Sequence, residues 1–127
     1  MYLVDSDVLI NFLKGEQDAV DTIKRLQVQS LYISIISVGE ILEGLLETKN
    51  KKKLNSFKEL LKSLTVVNID FVVIEKFASV RKFLRKKGLL IDNLDLLIAS
   101  TCLAYDLSLV TRNTNHFKRI PDLKMNA

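Results

Sequence analysis

Asp5 and Asp7 are the first residues in this chain whose type and placement suggest chemistry. Met1-Tyr2-Leu3-Val4 is a short apolar run that stops at Asp5-Ser6-Asp7, and Val8-Leu9-Ile10 resumes the apolar pattern. Two carboxylates therefore fall where a buried strand ends and a helix begins. In open α/β sheets the carboxyl ends of the strands form the crevice where ligands bind. An acid there serves chemistry better than folding. More acids open later segments: Glu40 in Ser37-Val38-Gly39-Glu40, and Asp92 and Asp95 in Ile91-Asp92-Asn93-Leu94-Asp95. Thr111-Arg112-Asn113 follows the last main strand as Asp5 follows the first.

Each motif also has a plain structural use. Ser37 and Glu40 fit a capping box, in which Ser caps the helix and Glu reaches back to its amide. Asp92 and Asp95 fit the same N-cap and N3 relation, and Asp7 suits the first turn of a helix dipole. Caps are the commoner use of such residues. Two features favour chemistry when the motifs are taken together. Asp5 ends an apolar strand, where an unpaired charge is costly to bury. Asp95 lies in line with Ile98, Ala99 and Cys102 at i+3, i+4 and i+7, so a carboxylate heads a buried stripe. Carboxylates directed at one place repel each other, and a divalent cation relieves that repulsion. Oxygen-only ligands suit Mg²⁺ or Mn²⁺. With one His and one Cys in the chain, a zinc site of the usual N/S type is excluded.

The segments that must position these acids alternate. Residues 2–5 read as strand and 6–14 as helix, with Ser6 or Asp7 as the cap. An amphipathic stretch follows Gly15, with Val20, Ile23 and Leu26–Val28 on its apolar side. Leu31–Ser34 reads as a strand extending toward Ile36, and Ser37–Thr48 as a helix. Asn50–Lys62 is a charged helix with Leu54, Phe57, Leu60 and Leu61 inward. Thr65–Asn68 is β-branched and short, and reads as the third strand. Asp70–Lys87 reads as a longer helix, with Val73, Phe77, Val80 and Leu84 inward, ended by Gly88. Residues 92–105 form the most apolar helix, with Leu94, Leu97, Ile98, Thr101 and Cys102 inward. Ser108–Thr111 is the fourth strand, and a loop through Pro121 leads to an edge strand near Leu123. The alternation predicts an α/β fold with a central parallel sheet of four to five strands flanked by helices, as a single domain over 1–127.

Bulk properties agree with that picture. The 127 residues are 48% hydrophobic and 27% charged, with one Pro and four Gly, which describes a compact, helix-rich chain. No apolar run approaches the roughly 20 residues a membrane span needs, and no basic leader precedes Asp5. Cys102 reads as a buried hydrophobe in a reducing, cytoplasmic setting. Lys and Arg total 19 against 15 acids, a net charge of +4. If acids gather in one pocket, the remaining surface is more basic still, which favours a polyanionic partner. Lys49–Lys53 reads as a solvated face. The cations of 81–87 form a second basic run, and Arg112, beside the pocket, is a candidate phosphate contact. His116 fits either substrate contact or a structural hydrogen bond. The lack of a Gly-rich phosphate loop argues against a nucleotide-binding enzyme, and with His116 as the sole possible base no Ser/His/Asp triad is plausible.

Taken in series, Leu3–Ile10, Ile36–Ile41, Asp95–Ala99 and Leu109–Asn113 followed by His116-Phe117 resemble the PIN-domain family. More narrowly, they resemble the VapC-type toxins of type II toxin–antitoxin systems. The ending Phe117-Lys118-Arg119-Ile120-Pro121-Asp122-Leu123 is similar to that family's C-terminal pattern. The resemblance implies a PIN-like fold and a Mg²⁺- or Mn²⁺-dependent endoribonuclease. Asp5, Glu40 and Asp95 take the family's acidic positions as catalytic, metal-holding residues. Thr111, Arg112 and Asn113 fall in the fourth motif, where neutral Asn113 replaces an acid that some members carry. Asp7 stands where many members have Asn, and Asp92 is either a further acid of the site or a cap. The resemblance also implies an RNA substrate, a VapB-like antitoxin and a homodimer. Two other readings stay open: a PIN nuclease of RNA processing without an antitoxin, and a non-catalytic RNA-binding module.

Overall fold

The computed structural model describes residues 1–126. The elements run β1 (Tyr2–Val4), α1 (Ser6–Leu13), α2 (Gln17–Leu26), β2 (Leu31–Ser34), α3 (Ile35–Thr48) and α4 (Lys51–Leu61). Then follow β3 (Thr65–Val67), α5 (Phe71–Lys87), α6 (Asn93–Tyr105), β4 (Ser108–Val110), α7 (Thr114–Phe117) and β5 (Met125–Asn126). All strands are parallel, in the order β3-β2-β1-β4-β5. The chain steps outward from β1 through β2 to β3, then returns to the other side of β1 at β4. The strand order thus reverses between β1 and β4, and the residues that follow those strands, Asp5 and Thr111, face the crevice such a reversal opens.

Alternation along the short strands divides the core. Leu3 and Leu109 point to one face, with Leu84, Leu96, Ile98, Cys102 and Phe117 from α5, α6 and α7. Val4 and Val110 point to the other, with Leu9, Ile23, Ile41 and Phe57 from α1 to α4. A sheet covered on both faces requires such near-continuous apolar strands. In α6, the Ser100 and Thr101 hydroxyls donate to the Leu96 and Leu97 carbonyls at 2.6 and 2.8 Å, so this buried helix leaves neither unsatisfied. Ile98 is fully buried between sheet and helices. Ile98→Val is expected to lower stability by about 1 kcal/mol in urea unfolding, the usual figure for one buried methyl.

Several boundaries differ from the sequence reading. The helix expected from Ser37 begins at Ile35, capped by Ser34, whose Oγ accepts from the Ile36 amide at 3.1 Å. The cap of α1 is Asp5 rather than Ser6 or Asp7. Val28 lies beyond the end of α2 and is exposed, and Leu94 faces outward from α6. Part of the expected C-terminal loop is the short helix α7, and the edge strand lies at 125–126, past Leu123. Gly88 ends α5 with φ 68, the left-handed conformation glycine adopts without strain.

Candidate active site

Asp5 leaves β1 with its amide still bound to the Val110 carbonyl at 2.9 Å, so the ladder to β4 fixes its backbone. One carboxylate oxygen accepts from the Ser6 amide at 2.8 Å, and the other from Thr111 Oγ1 at 2.8 Å. Asp5 is 5% exposed. Burial, followed by repulsion from Asp7, pushes its carboxyl up to about 7, against the pull of the Thr111 and Ser6 hydrogen bonds. Thr111 is itself fully buried, and its Oγ1 accepts from the Asn113 amide at 3.0 Å. The loop after β4 therefore clamps the acid after β1.

Asp7 is held in the same clamp. Its Oδ1 accepts from the Val8 amide at 2.7 Å and its Oδ2 from the Arg112 amide at 3.1 Å. Arg112 contributes its backbone here, while its guanidinium forms an ion pair with Glu16.

With Ser34 as the cap of α3, Ser37 and Glu40 do not form the capping box. Glu40, a turn and a half into the helix, instead accepts from Ser6 Oγ at 3.3 Å. Burial and then Asp95 raise its carboxyl above the ordinary range. Ser6 thus orients Glu40, a role sequence reasoning missed; its adjacency to Asp5 was the one available signal. Ser37 Oγ, on the same side of α3 as Glu40, is buried without a hydrogen-bond partner.

Asp92 caps α6, accepting from the amides of Leu94 at 3.1 Å and Asp95 at 3.4 Å. Asp95 then occupies N3, raised by burial and next by Asp92, with His116 opposing. His116 Nδ1 stands 3.9 Å from the Asp95 carboxylate and accepts from the Asn113 amide group at 3.0 Å. His116 is thus oriented by Asn113 beside an acid of the site, so it combines the structural bond and the position at the site.

The electrostatics show that these acids share one space. Asp5 is raised by Asp7 and Asp95, Glu40 by Asp95 and Asp92, and Asp95 by Asp92 and Asp7. The amino ends of α1 and α6 meet there, and their dipoles favour negative charge. Among the described residues, no group of three His, Cys, Asp or Glu already stands in a metal-holding arrangement. The donor set nevertheless fits a hard divalent cation: three oxygen-only side chains on separate elements, with Asp95 raising both Asp5 and Glu40. The Cys102 thiol is buried and pushed up to about 12, so it offers no thiolate. Thr111→Val would remove the donor to Asp5 while keeping side-chain volume. It is expected to weaken divalent-cation affinity roughly 10–100-fold, the usual effect of removing a partner that orients a metal ligand, as read by calorimetric titration with Mn²⁺.

The chain matches the PIN domain family over residues 2–123. It is 37% identical over 120 residues to Ribonuclease VapC1 of Methanocaldococcus jannaschii, covering 94% of this chain and 81% of that one. It is 30% identical over 126 residues to Ribonuclease VapC2 of Rickettsia felis, covering 97% and 94%. Its fold matches a chain in the crystal structure of VapBC2 from Rickettsia felis bound to a DNA fragment from their promoter. That match has a TM-score of 0.91 at 27% identity and covers 98% of this chain and 96% of that one.

Proposed function

The chain belongs to the PIN-domain family, and from that membership we propose that it is a metal-dependent endoribonuclease, the toxin of a VapBC-type toxin–antitoxin system. Its cation, Mg²⁺ or Mn²⁺, is held by Asp5, Glu40 and Asp95. The observation that carries this assignment is Asp5: a buried carboxylate at the strand-order reversal, raised to about 7 and facing Asp95. Folding alone gains little from such an acid.

A cation held there would supply Lewis-acid chemistry, lowering the pKa of a bound water and offsetting charge on the phosphodiester. The chain's own residues keep the ligands in place. Thr111 and the Ser6 amide fix both oxygens of Asp5, and Ser6 Oγ turns Glu40 inward. The Asp92 cap sets the first turn of α6, and with it Asp95. Asp7, bound to two backbone amides, adds negative charge and ties the loop after β4 to α1. Asn113 holds His116 at the rim, where substrate passes.

The antitoxin fits an apolar groove between α1, α3 and α4 that reaches Glu40, lined by Ile10, Leu13, Ile41 and Leu45. An amphipathic segment laid there would shield the acids from RNA, a helix-in-groove mode of inhibition. We expect the toxin to form a homodimer. Among the described residues no helix is long and apolar enough to cross a membrane. We place the protein in the cytoplasm, with its RNA.

The test is cleavage of a mixed RNA pool by purified protein in Mn²⁺ or Mg²⁺, with an EDTA control. Cutting that needs the ion supports the assignment. Cutting that persists in EDTA, or no cutting by a protein that binds no cation, overturns it.

A further inference from the structure

The cations around the acidic crevice are divided unevenly. On the side of α2, Arg112 is paired with Glu16 and shares its surface cleft with Arg25 and the carboxylates of Asp18 and Asp21. A phosphate arriving there would compete with carboxylates for the guanidinium. On the opposite side no cation of α5 is in an ion pair among the described residues. Between Glu75 and Asp92 the chain carries no acid, while Arg81, Lys82, Arg85, Lys86 and Lys87 fall on the C-terminal half of α5. That helix ends at Gly88, and the chain turns directly into the Asp92 cap.

Two arginines are fixed against this turn. Arg81 Nε donates to Asn93 Oδ1 at 3.1 Å, and Asn93 lies between Asp92 and Asp95 in sequence. Arg119 Nη1 donates to the Leu90 carbonyl at 3.5 Å, and its amide bonds the carbonyl of His116, which stands beside Asp95. Each contact uses one of five guanidinium N–H groups. Neither arginine is in an ion pair among the described residues. A planar, partly anchored guanidinium loses little freedom when it takes a phosphate bidentately. An acidic crevice also needs such flanking charge, because it repels a polyanion on its own.

We propose that Arg81 and Arg119, rather than Arg112, form the phosphate-binding rim that leads an RNA strand to Asp95. This rests on the nuclease reading above and names the surface that reading leaves open.

The test is steady-state cleavage of a labelled single-stranded RNA pool by the full chain at several salt concentrations. Arg81→Gln/Arg119→Gln is compared with the charge-matched Lys51→Gln/Lys52→Gln, which alters exposed positions on α4. The arginine pair is expected to raise KM roughly tenfold, more than it changes kcat. It should also flatten the slope of log affinity against log salt by about 1.4, or about 0.7 for each lost single-strand phosphate contact. The lysine pair should leave KM near wild type. Unchanged KM and slope in the arginine pair, or an equal loss in the lysine pair, would overturn the rim while leaving the nuclease standing. A wild-type protein that cuts no RNA would remove the nuclease reading and the rim with it. Matching thermal melts establish that each variant is folded.

Discussion

Asp5→Asn is expected to lower kcat/KM for RNA by roughly a thousandfold, about 4 kcal/mol of transition-state stabilisation. At pH 8 without divalent cation, the same substitution is expected to raise the melting temperature. The two effects have one origin. Asp5 is buried against Asp7 and Asp95, which the metal-free fold tolerates only by raising its carboxyl to about 7. Asn relieves the repulsion and the desolvation of a charge at almost constant volume. Its hydrogen bonds can be kept: the amide oxygen accepts from the Ser6 amide, and the amide nitrogen donates to Thr111 Oγ1. The Thr111 hydroxyl then turns toward Asp7 Oδ2, already 3.5 Å away. What Asn does not supply is a charged ligand. Activity and stability should therefore move in opposite directions, a pattern that a purely structural Asp5 would not produce. Parallel loss of both would count against the assignment.

The second large effect is a dependence of stability on pH that has the opposite sign from ordinary acid denaturation. The folded-state value for Asp5, about 7, lies above its ordinary 3.8. Its contribution to stability is full below 3.8 and falls as pH rises through that window, because the unfolded chain ionises first. The total is on the order of 4 kcal/mol if the whole shift is realised. Glu40 and Asp95 are raised as well and act with the same sign. Asp106, lowered by Lys124, acts in the opposite sense but is fully exposed. The metal-free protein is therefore expected to melt highest at weakly acid pH and to lose stability toward pH 8. Millimolar Mg²⁺ or Mn²⁺ should restore it, by about 2.7 kcal/mol at a hundred times the dissociation constant. Because cation and proton compete for the same oxygens, metal affinity should rise with pH up to about 7. Melting curves of wild type and Asp5→Asn from pH 5 to 8, with and without the ion, check all of this. A flat wild-type profile, or one that rises with pH, would contradict it.

Strands β1 to β4 were legible in the sequence because each is a mostly apolar run ended or followed by a polar residue, and Gly88 marks the end of the long helix; β5, two residues at Met125–Asn126, carries no such pattern. Asp5 was legible for the same reason, as an acid closing a buried strand, although its use as the cap of α1 was not. The start of α3 was not. Ile35 and Ile36 are β-branched and extend the strand pattern of Leu31–Ser34, so propensity hid the cap at Ser34 and suggested one at Ser37. The error matters, because it made Glu40 look like a capping residue when its carboxylate faces Ser6 and Asp95. Asp92 is the reverse case: it caps α6 and also raises Asp95 and Glu40, so capping does not separate it from these acids. Arg112 drew attention by adjacency, yet adjacency in sequence does not reveal that Glu16 takes its guanidinium. Arg81 and Arg119 are far apart in the chain, and only the fold brings them to the turn before Asp92.

The central claim, that Asp5, Glu40 and Asp95 together hold a divalent cation in the crevice between β1 and β4, is tested most directly by anomalous diffraction from crystals of the protein grown with Mn²⁺. The prediction is a manganese peak at roughly 2.0–2.3 Å from oxygens of these carboxylates, absent in Asp5→Asn. A protein that shows no peak there at saturating Mn²⁺, or that binds the ion only elsewhere on its surface, would contradict it.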